Sequence, residues 1–243
     1  MTTRKPRGFR LVEVQTSHRL SRSMQRLRFV GRDLDHFATD ENLHVRLHLS
    51  ETGLPDSESH TRYYTIRHIG PGWFDVDFVL HDSGPGASFA RRAVPGAKCG
   101  VSGPCGLGIR PAERYLLAGD ETALPAIARI AESLPKTAVG HVLLEVETVE
   151  DVIDFRTPAD LCVEWFLRRG THLEANAGYR ARLRAAIASI AVQGKRYVWI
   201  AGEHDTVMPL RILLKGTPSL CVPYWRRNEA LPVSALSRCS GND

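Results

Sequence analysis

RYLLAGDETALPAIARIAESL, residues 114–134, is the stretch on which the fold turns. Arg114 to Gly119 is short, apolar and unbroken, the pattern of a buried strand. In DETALPAIARIAESL, Ala123, Ile127, Ile130, Ala131 and Leu134 then recur at helical spacing. A buried strand that runs straight into a helix is the opening unit of a parallel α/β sheet. The rhythm continues downstream. HVLLEVE (141–147) and CVEWFL (162–167) read as strands, and YVWIAGE (197–203) and LCVPYW (220–225) as two more. YRARLRAAIASIAV (179–192) is a helix with Leu183, Ile187 and Ile190 on one side and arginines on the other. PLRILLK (209–215) is a short helix. The alternation predicts a doubly wound parallel sheet.

Upstream the texture is different. Phe9–Val14, Met24–Val30, Leu43–Leu49, Arg62–Ile69, Trp73–Leu80 and Lys98–Ser102 read as short strands separated by turn signals. In HVRLHL (44–49), Val45, Leu47 and Leu49 alternate with His44, Arg46 and His48, giving one apolar and one basic face. Short antiparallel strands that close on themselves predict a small barrel. SFARRA (88–93) reads as a helix with Ser88 as N-cap. The turn-like GIRPAE (108–113) separates two domains, residues 1–110 as the β-barrel and 111–243 as the α/β domain.

Bulk properties narrow the classes. The 243 residues suit two domains, and 43% apolar with 24% charged residues is a globular composition. No apolar run reaches the roughly 18–20 residues of a membrane helix. MTTRKPRGF lacks the apolar core of a signal peptide, so a cytoplasmic protein without membrane insertion is expected. Five scattered cysteines show no C-x-x-C spacing and read as free thiols, mostly in the core. The net charge of +5 favours anionic partners. Arg4, Lys5, Arg7 and Arg10 read as a solvated tail rather than a nucleic-acid arm, because no nucleic-acid-binding motif follows. His44 and His48 lie about 13 Å apart on a strand, too far to share a metal. No metal site, nucleophile elbow or P-loop is expected.

Two stretches carry chemistry. In RYYTIRHIG (62–70), Arg62, Tyr64 and Ile66 face one way and Tyr63, Thr65 and Arg67 the other. This is either an exposed strand with snorkelling arginines or a platform for a flat anion. In DFVLHDSGPGASFARR (77–92), a strand delivers a glycine turn to a helix N-terminus, which suits a phosphate.

Taken in order, RYYTIR, DVDFVLH, GPGAS, YLLAGDETALPAI, YVWIAGE and PYWRR make the chain resemble the siderophore-interacting proteins. These are FAD-containing ferric-siderophore reductases of the ferredoxin-reductase-like group. The resemblance runs from about Phe9 to Arg227. It implies FAD contacts from Arg62, Tyr64, Thr65 and Arg67, from Val79, Leu80 and His81, and from Ala87 and Ser88 at the phosphate turn. Asp120 and Thr122 would meet the adenosine end. For His81 a satisfied structural role fits as well as a flavin contact.

Ferredoxin-reductase-like enzymes generally carry a glycine-rich turn where this chain has Gly119-Asp120-Glu121-Thr122-Ala123. Two carboxylates there oppose a dinucleotide pyrophosphate, so NAD(P)H and ferredoxin both stand as electron donors. Arg46 occupies a place where the family often has lysine, and Pro223 one where it often has glycine. A ferric siderophore is the expected acceptor, held by Arg46, Arg211, Lys215 and Arg226. Arg211 and Lys215 would share a helical face. The alternatives are a flavin-containing chelate-binding module without turnover and a flavin reductase serving another redox protein.

Overall fold

A computed structural model describes residues 9–40, 43–50, 59–82, 84–106, 108–169, 175–190 and 194–227. Two compact units meet in sequence between Gly108 and Ile109.

Unit 1 is a seven-stranded antiparallel sheet. Its strands are β1 (Arg10–Arg19), β2 (Met24–Gly31), β3 (His44–Leu49), β4 (His60–Thr65), β5 (His68–Gly70), β6 (Trp73–Val79) and β7 (Lys98–Cys105), with the helix α1 (Pro85–Arg92) after β6. The hydrogen-bonded order is β4-β3-β7-β1-β2-β6-β5. Period-two alternation turns Val12, Val14, Leu27, Phe29, Val45, Leu47, Phe74, Val76, Phe78 and Val101 into one core. The opposite face of β2 and β6 is ionic. Arg26 and Arg28 lie opposite Asp77 and Asp75 in register. Each pair is bidentate, at 2.6–2.7 Å and 2.8–2.9 Å.

β4 and β5 lie at the two ends of the hydrogen-bonded order yet are joined by only Ile66 and Arg67, so the sheet is barrel-like as expected. The strand expected over Arg62–Ile69 is accordingly split. The Ile66 amide donates to the Leu43 carbonyl at 3.0 Å and the Arg67 amide to that of Asp75 at 2.8 Å. Two successive amides serve opposite edges of the same sheet, so the chain turns a corner there that a single strand cannot make.

Unit 2 is a parallel sheet of β8 (Arg114–Asp120), β9 (Val139–Val146), β10 (Asp160–Leu167), β11 (Arg196–Glu203) and β12 (Ser219–Trp225). The order is β10-β9-β8-β11-β12. Its helices are α2 (Leu124–Ser133), α3 (Ala175–Ile190), α4 (His204–Val207) and α5 (Leu210–Leu213). Leu116, Ala118, Val198 and Ile200 pack with Leu183 and Ile187 of α3. Gly119 faces α2, where a Cβ would sit 2.5 Å from that of Ala123. Helices thus cover both faces, as the doubly wound pattern requires. Among the described residues no helix is long and apolar enough to cross a membrane. Cys99, Cys105 and Cys221 are buried thiols, Cys162 is an exposed one, and Cys239 lies outside the described residues.

Candidate functional site

In unit 1, β4, the end of β6 and α1 come together. Tyr64 packs its ring against Phe78, centroids 4.4 Å apart, and burial pushes its phenol well above the ordinary range. Its hydroxyl lies over Gly86, where a side chain would overlap it. Gly84, at φ +103°, packs beside the His81 ring and leads into Pro85 at the first helical position. This starts α1 three residues earlier than the sequence predicts. Ser88 is not the N-cap. Its amide donates to the Gly84 carbonyl at 3.1 Å and its hydroxyl accepts from Arg92 at 2.8 Å.

The N-cap of α1 is Gly84, and among the described residues no side chain caps the helix. Its first amides and dipole end are therefore available to an anion. Arg91 donates to the His81 carbonyl at 2.7 Å. Loss of surrounding water, with the Arg91 charge, holds the His81 imidazole below its ordinary value. Arg62 is exposed, with Nη1 on the Thr61 carbonyl, whereas Thr65 and Arg67 are buried. Val79 and Leu80 are half-buried, and Leu80 donates its amide to the Ser23 carbonyl at 2.7 Å. A helix end with a glycine N-cap, a glycine with no room for Cβ, a half-buried ring and an exposed guanidinium are a fitting donor set for FAD.

Arg46 and Tyr63, opposite each other on β3 and β4, form one group. The guanidinium lies 4.9 Å from the ring centroid and donates to its hydroxyl.

In unit 2 the strand order reverses between β8 and β11, so the ligand crevice of this fold class lies beyond their carboxyl ends. Asp120 is there. Oδ1 accepts from the Thr122 amide at 2.9 Å and from the Thr122 hydroxyl. Oδ2 accepts from the Glu203 amide at 2.9 Å and from the Trp225 indole at 2.7 Å. The carboxylate expected to meet adenosine is thus occupied in tying β8, β11 and β12 together, which leaves main-chain groups and Thr122 for a ligand. Gly202 has no alternative here: at φ +145°, a Cβ would sit 2.7 Å from Asp120 Oδ2.

Beside it, Arg168 ties three carboxylates. It pairs with Glu121, with Glu147 at 3.0 Å and with Glu145 at 3.4 Å. Burial raises both the Glu121 and Glu145 carboxyls despite this partner. The sequence reading missed Arg168, Glu145 and Glu147. The available signal was position, since all lie at the carboxyl ends of parallel strands.

The other predicted substrate contacts do not form one wall. Arg211 donates to the Cys221 carbonyl at 2.8 and 3.0 Å. Lys215 lies beyond the end of α5, ahead of β12, while Arg226 follows the opposite end of that strand, 3.8 Å from Asp205. Seven strand residues span about 20 Å, so Lys215 and Arg226 are at opposite ends of the sheet.

Two family models match the chain, the siderophore-interacting FAD-binding domain over residues 13–107 and the siderophore-interacting protein over 112–228. The ferric vibriobactin reductase ViuB of Vibrio cholerae is 29% identical over 250 residues, covering 90% of each chain. The NADPH-dependent ferric-chelate reductase of Escherichia coli is 30% identical over 162 residues, covering 64% of this chain and 59% of that one. The siderophore-interacting protein SipS of Aeromonas hydrophila matches in structure with a TM-score of 0.78 at 30% identity, covering 91% of this chain and 93% of that one. The fold, an antiparallel-sheet unit followed by a parallel-sheet unit, is ferredoxin-reductase-like, and the ferredoxin-NADP+ reductase of Plasmodium falciparum shares it with a TM-score of 0.67 at 11% identity, covering 88% of this chain and 93% of that one. The chain belongs to the siderophore-interacting protein family.

Proposed function

We propose that this protein is an FAD-dependent ferric-siderophore reductase that takes electrons from NAD(P)H or ferredoxin and releases iron as Fe(II) in the cytoplasm. The observation that carries the reading is the convergence of Tyr64 with the Gly84–Ala87 turn at a helix N-terminus whose N-cap is a glycine. That arrangement suits a ring system joined to a pyrophosphate. FAD, when bound, supplies acceptance of an electron pair and its return one electron at a time.

The chain's own residues hold and orient. The α1 amides and Arg62 would bind phosphate, Tyr64 would support the ring, and Thr65 would donate to the ring edge. Thr122 and the main chain around Asp120 would meet the adenosine end. The substrate logic needs no iron ligands from the protein. Hard siderophore oxygens hold Fe(III) far more tightly than Fe(II), so a single electron loosens the metal. Arg46 and Arg226 are the basic groups this reading retains for an anionic chelate. With both changed to alanine, the salt dependence of reduction should flatten for an anionic ferric chelate and stay unchanged for a neutral one.

The decisive experiment is anaerobic. Holoprotein reduced by dithionite, freed of excess, is mixed with a ferric siderophore and a chromogenic Fe(II) chelator. Flavin reoxidation with matching Fe(II) capture is expected. A flavin that stays reduced against both anionic and neutral chelates would refute the reading and favour a binding module or a reductase for another protein.

A further inference from the structure

We propose that His141, Cys162 and Glu164 form a surface site for a borderline divalent transition cation of the zinc class. The site lies outside the residues assigned to flavin, donor and siderophore. Cys162 on β10 stands opposite His141 on β9 in the parallel ladder. Glu164 is two residues along β10, on the same face. One ligand atom from each residue, a ring nitrogen, Sγ and a carboxylate oxygen, falls within 4.8 Å of the other two. A tetrahedral cation with Zn–S near 2.3 Å and Zn–N and Zn–O near 2.0–2.2 Å separates such atoms by about 3.5 Å. Small side-chain rotations close that difference, and a fourth position remains for water.

The donor set decides the class of ion. One thiolate and one imidazole with a carboxylate suit Zn2+ and Co2+. Mg2+ and Ca2+ prefer all-oxygen sets. His141 and Cys162 are exposed and Glu164 is half-buried, so an ion can enter.

Arg182 of α3 occupies the place where a cation would otherwise sit. Its Nε donates to Glu164 at 2.9 Å, its Nη2 also pairs with that carboxylate, and Nη2 lies 3.4 Å from His141 Nδ1. The guanidinium neutralises Glu164 and holds it ionised, below the usual carboxylate range. A metal ion must displace it. Arg182 therefore acts against the ion, which yields a sign that few structural residues share: its removal tightens binding. Separations of 21 and 23 residues hide the group from any motif search, and only the parallel register brings it together.

The test uses flavin-loaded full-length protein in a Cys239→Ser background, with Co2+ as the probe. Tetrahedral cobalt bound through a thiolate gives d–d bands to the red of oxidised flavin. The expected result is one Co2+ per chain, displaced by Zn2+, with the bands lost in Cys162→Ser and in His141→Ala. Arg182→Gln should tighten Zn2+ binding by about tenfold, as expected when a cation a few ångströms from a divalent ion is removed. Melting curves and flavin content establish that the variants are folded. Should Arg182→Gln not fold, Arg182→Lys replaces it, with the same direction expected because a point charge lacks the fork that grips Glu164. Absence of red bands in the parent protein overturns the proposal. So do unchanged bands in Cys162→Ser, or weaker Zn2+ binding in the folded Arg182 variant.

Discussion

Gly86→Ala is the substitution that most directly tests whether α1 and Tyr64 are built as one part. A Cβ on Gly86 would overlap the Tyr64 hydroxyl and lie 2.9 Å from its Cζ, and the hydroxyl belongs to a ring held against Phe78 at 4.4 Å. Overpacking of this kind costs about 1–3 kcal/mol. Replacing glycine with alanine in a helix returns at most about 0.5–1 kcal/mol, and less in the first turn. The net loss should be about 0.5–2 kcal/mol by urea unfolding of the apoprotein. The ring must also swing away from Phe78, so FAD should bind about tenfold more weakly, equivalent to 1.4 kcal/mol. Tyr64→Phe removes the overlapping oxygen. The double mutant should recover about 1 kcal/mol of stability relative to the sum of the single changes, a coupling typical of residues in contact. Parent-like stability and FAD affinity in Gly86→Ala, with strict additivity alongside Tyr64→Phe, would refute the reasoning.

Further outcomes are expected. Arg62→Ala should leave the melting temperature unchanged and weaken FAD about 10- to 150-fold, the value of a charge-assisted phosphate contact; titration of apoprotein measures it. Asp120→Asn should cost about 2–4 kcal/mol, because an amide nitrogen replaces an oxygen facing two donors; unfolding followed by tryptophan fluorescence is the readout. Burial raises the Asp75 carboxyl, but the Arg28 fork and His68 outweigh it and leave the group at about 2. Because that folded value is depressed, its stabilisation is complete above the ordinary value of 3.8 and disappears as pH falls through about 2. The stability difference between the parent and Asp75→Asn should therefore be constant from pH 7 to about pH 5 and shrink below pH 4.

The parallel sheet was legible because its central strands, β8 and β11, are buried on both faces, and hydrophobic runs of that kind carry their own signal. The phosphate turn was legible because glycine and proline set its backbone. The helix start was misplaced because Ser88 is a good cap by type, yet Gly84 and Pro85 set the helical dihedrals three residues earlier. The corner at Ile66–Arg67 left no trace, since both residues are ordinary strand formers and only their hydrogen-bond partners differ. Arg211 and Arg168 are chemically alike in sequence. One is held on a backbone carbonyl and the other among carboxylates, a difference fixed by strand order rather than local composition. Asp120 was read as a ligand contact from the family resemblance, while its four donors come from the adjacent Thr122 and from two distant segments, at Glu203 and Trp225.

The corner at Ile66 and Arg67 also fixes how the chain can vary in length. One added residue there would leave the Leu43 and Asp75 carbonyls served out of step, and every side chain on one edge would change faces. Insertions elsewhere in unit 1 have loops to absorb them, such as the stretch between β2 and β3. Between Tyr64 and His68 there is no slack. The count of residues from Tyr64 on the aromatic platform to His68 at the Asp75 ion pair is set by the sheet itself.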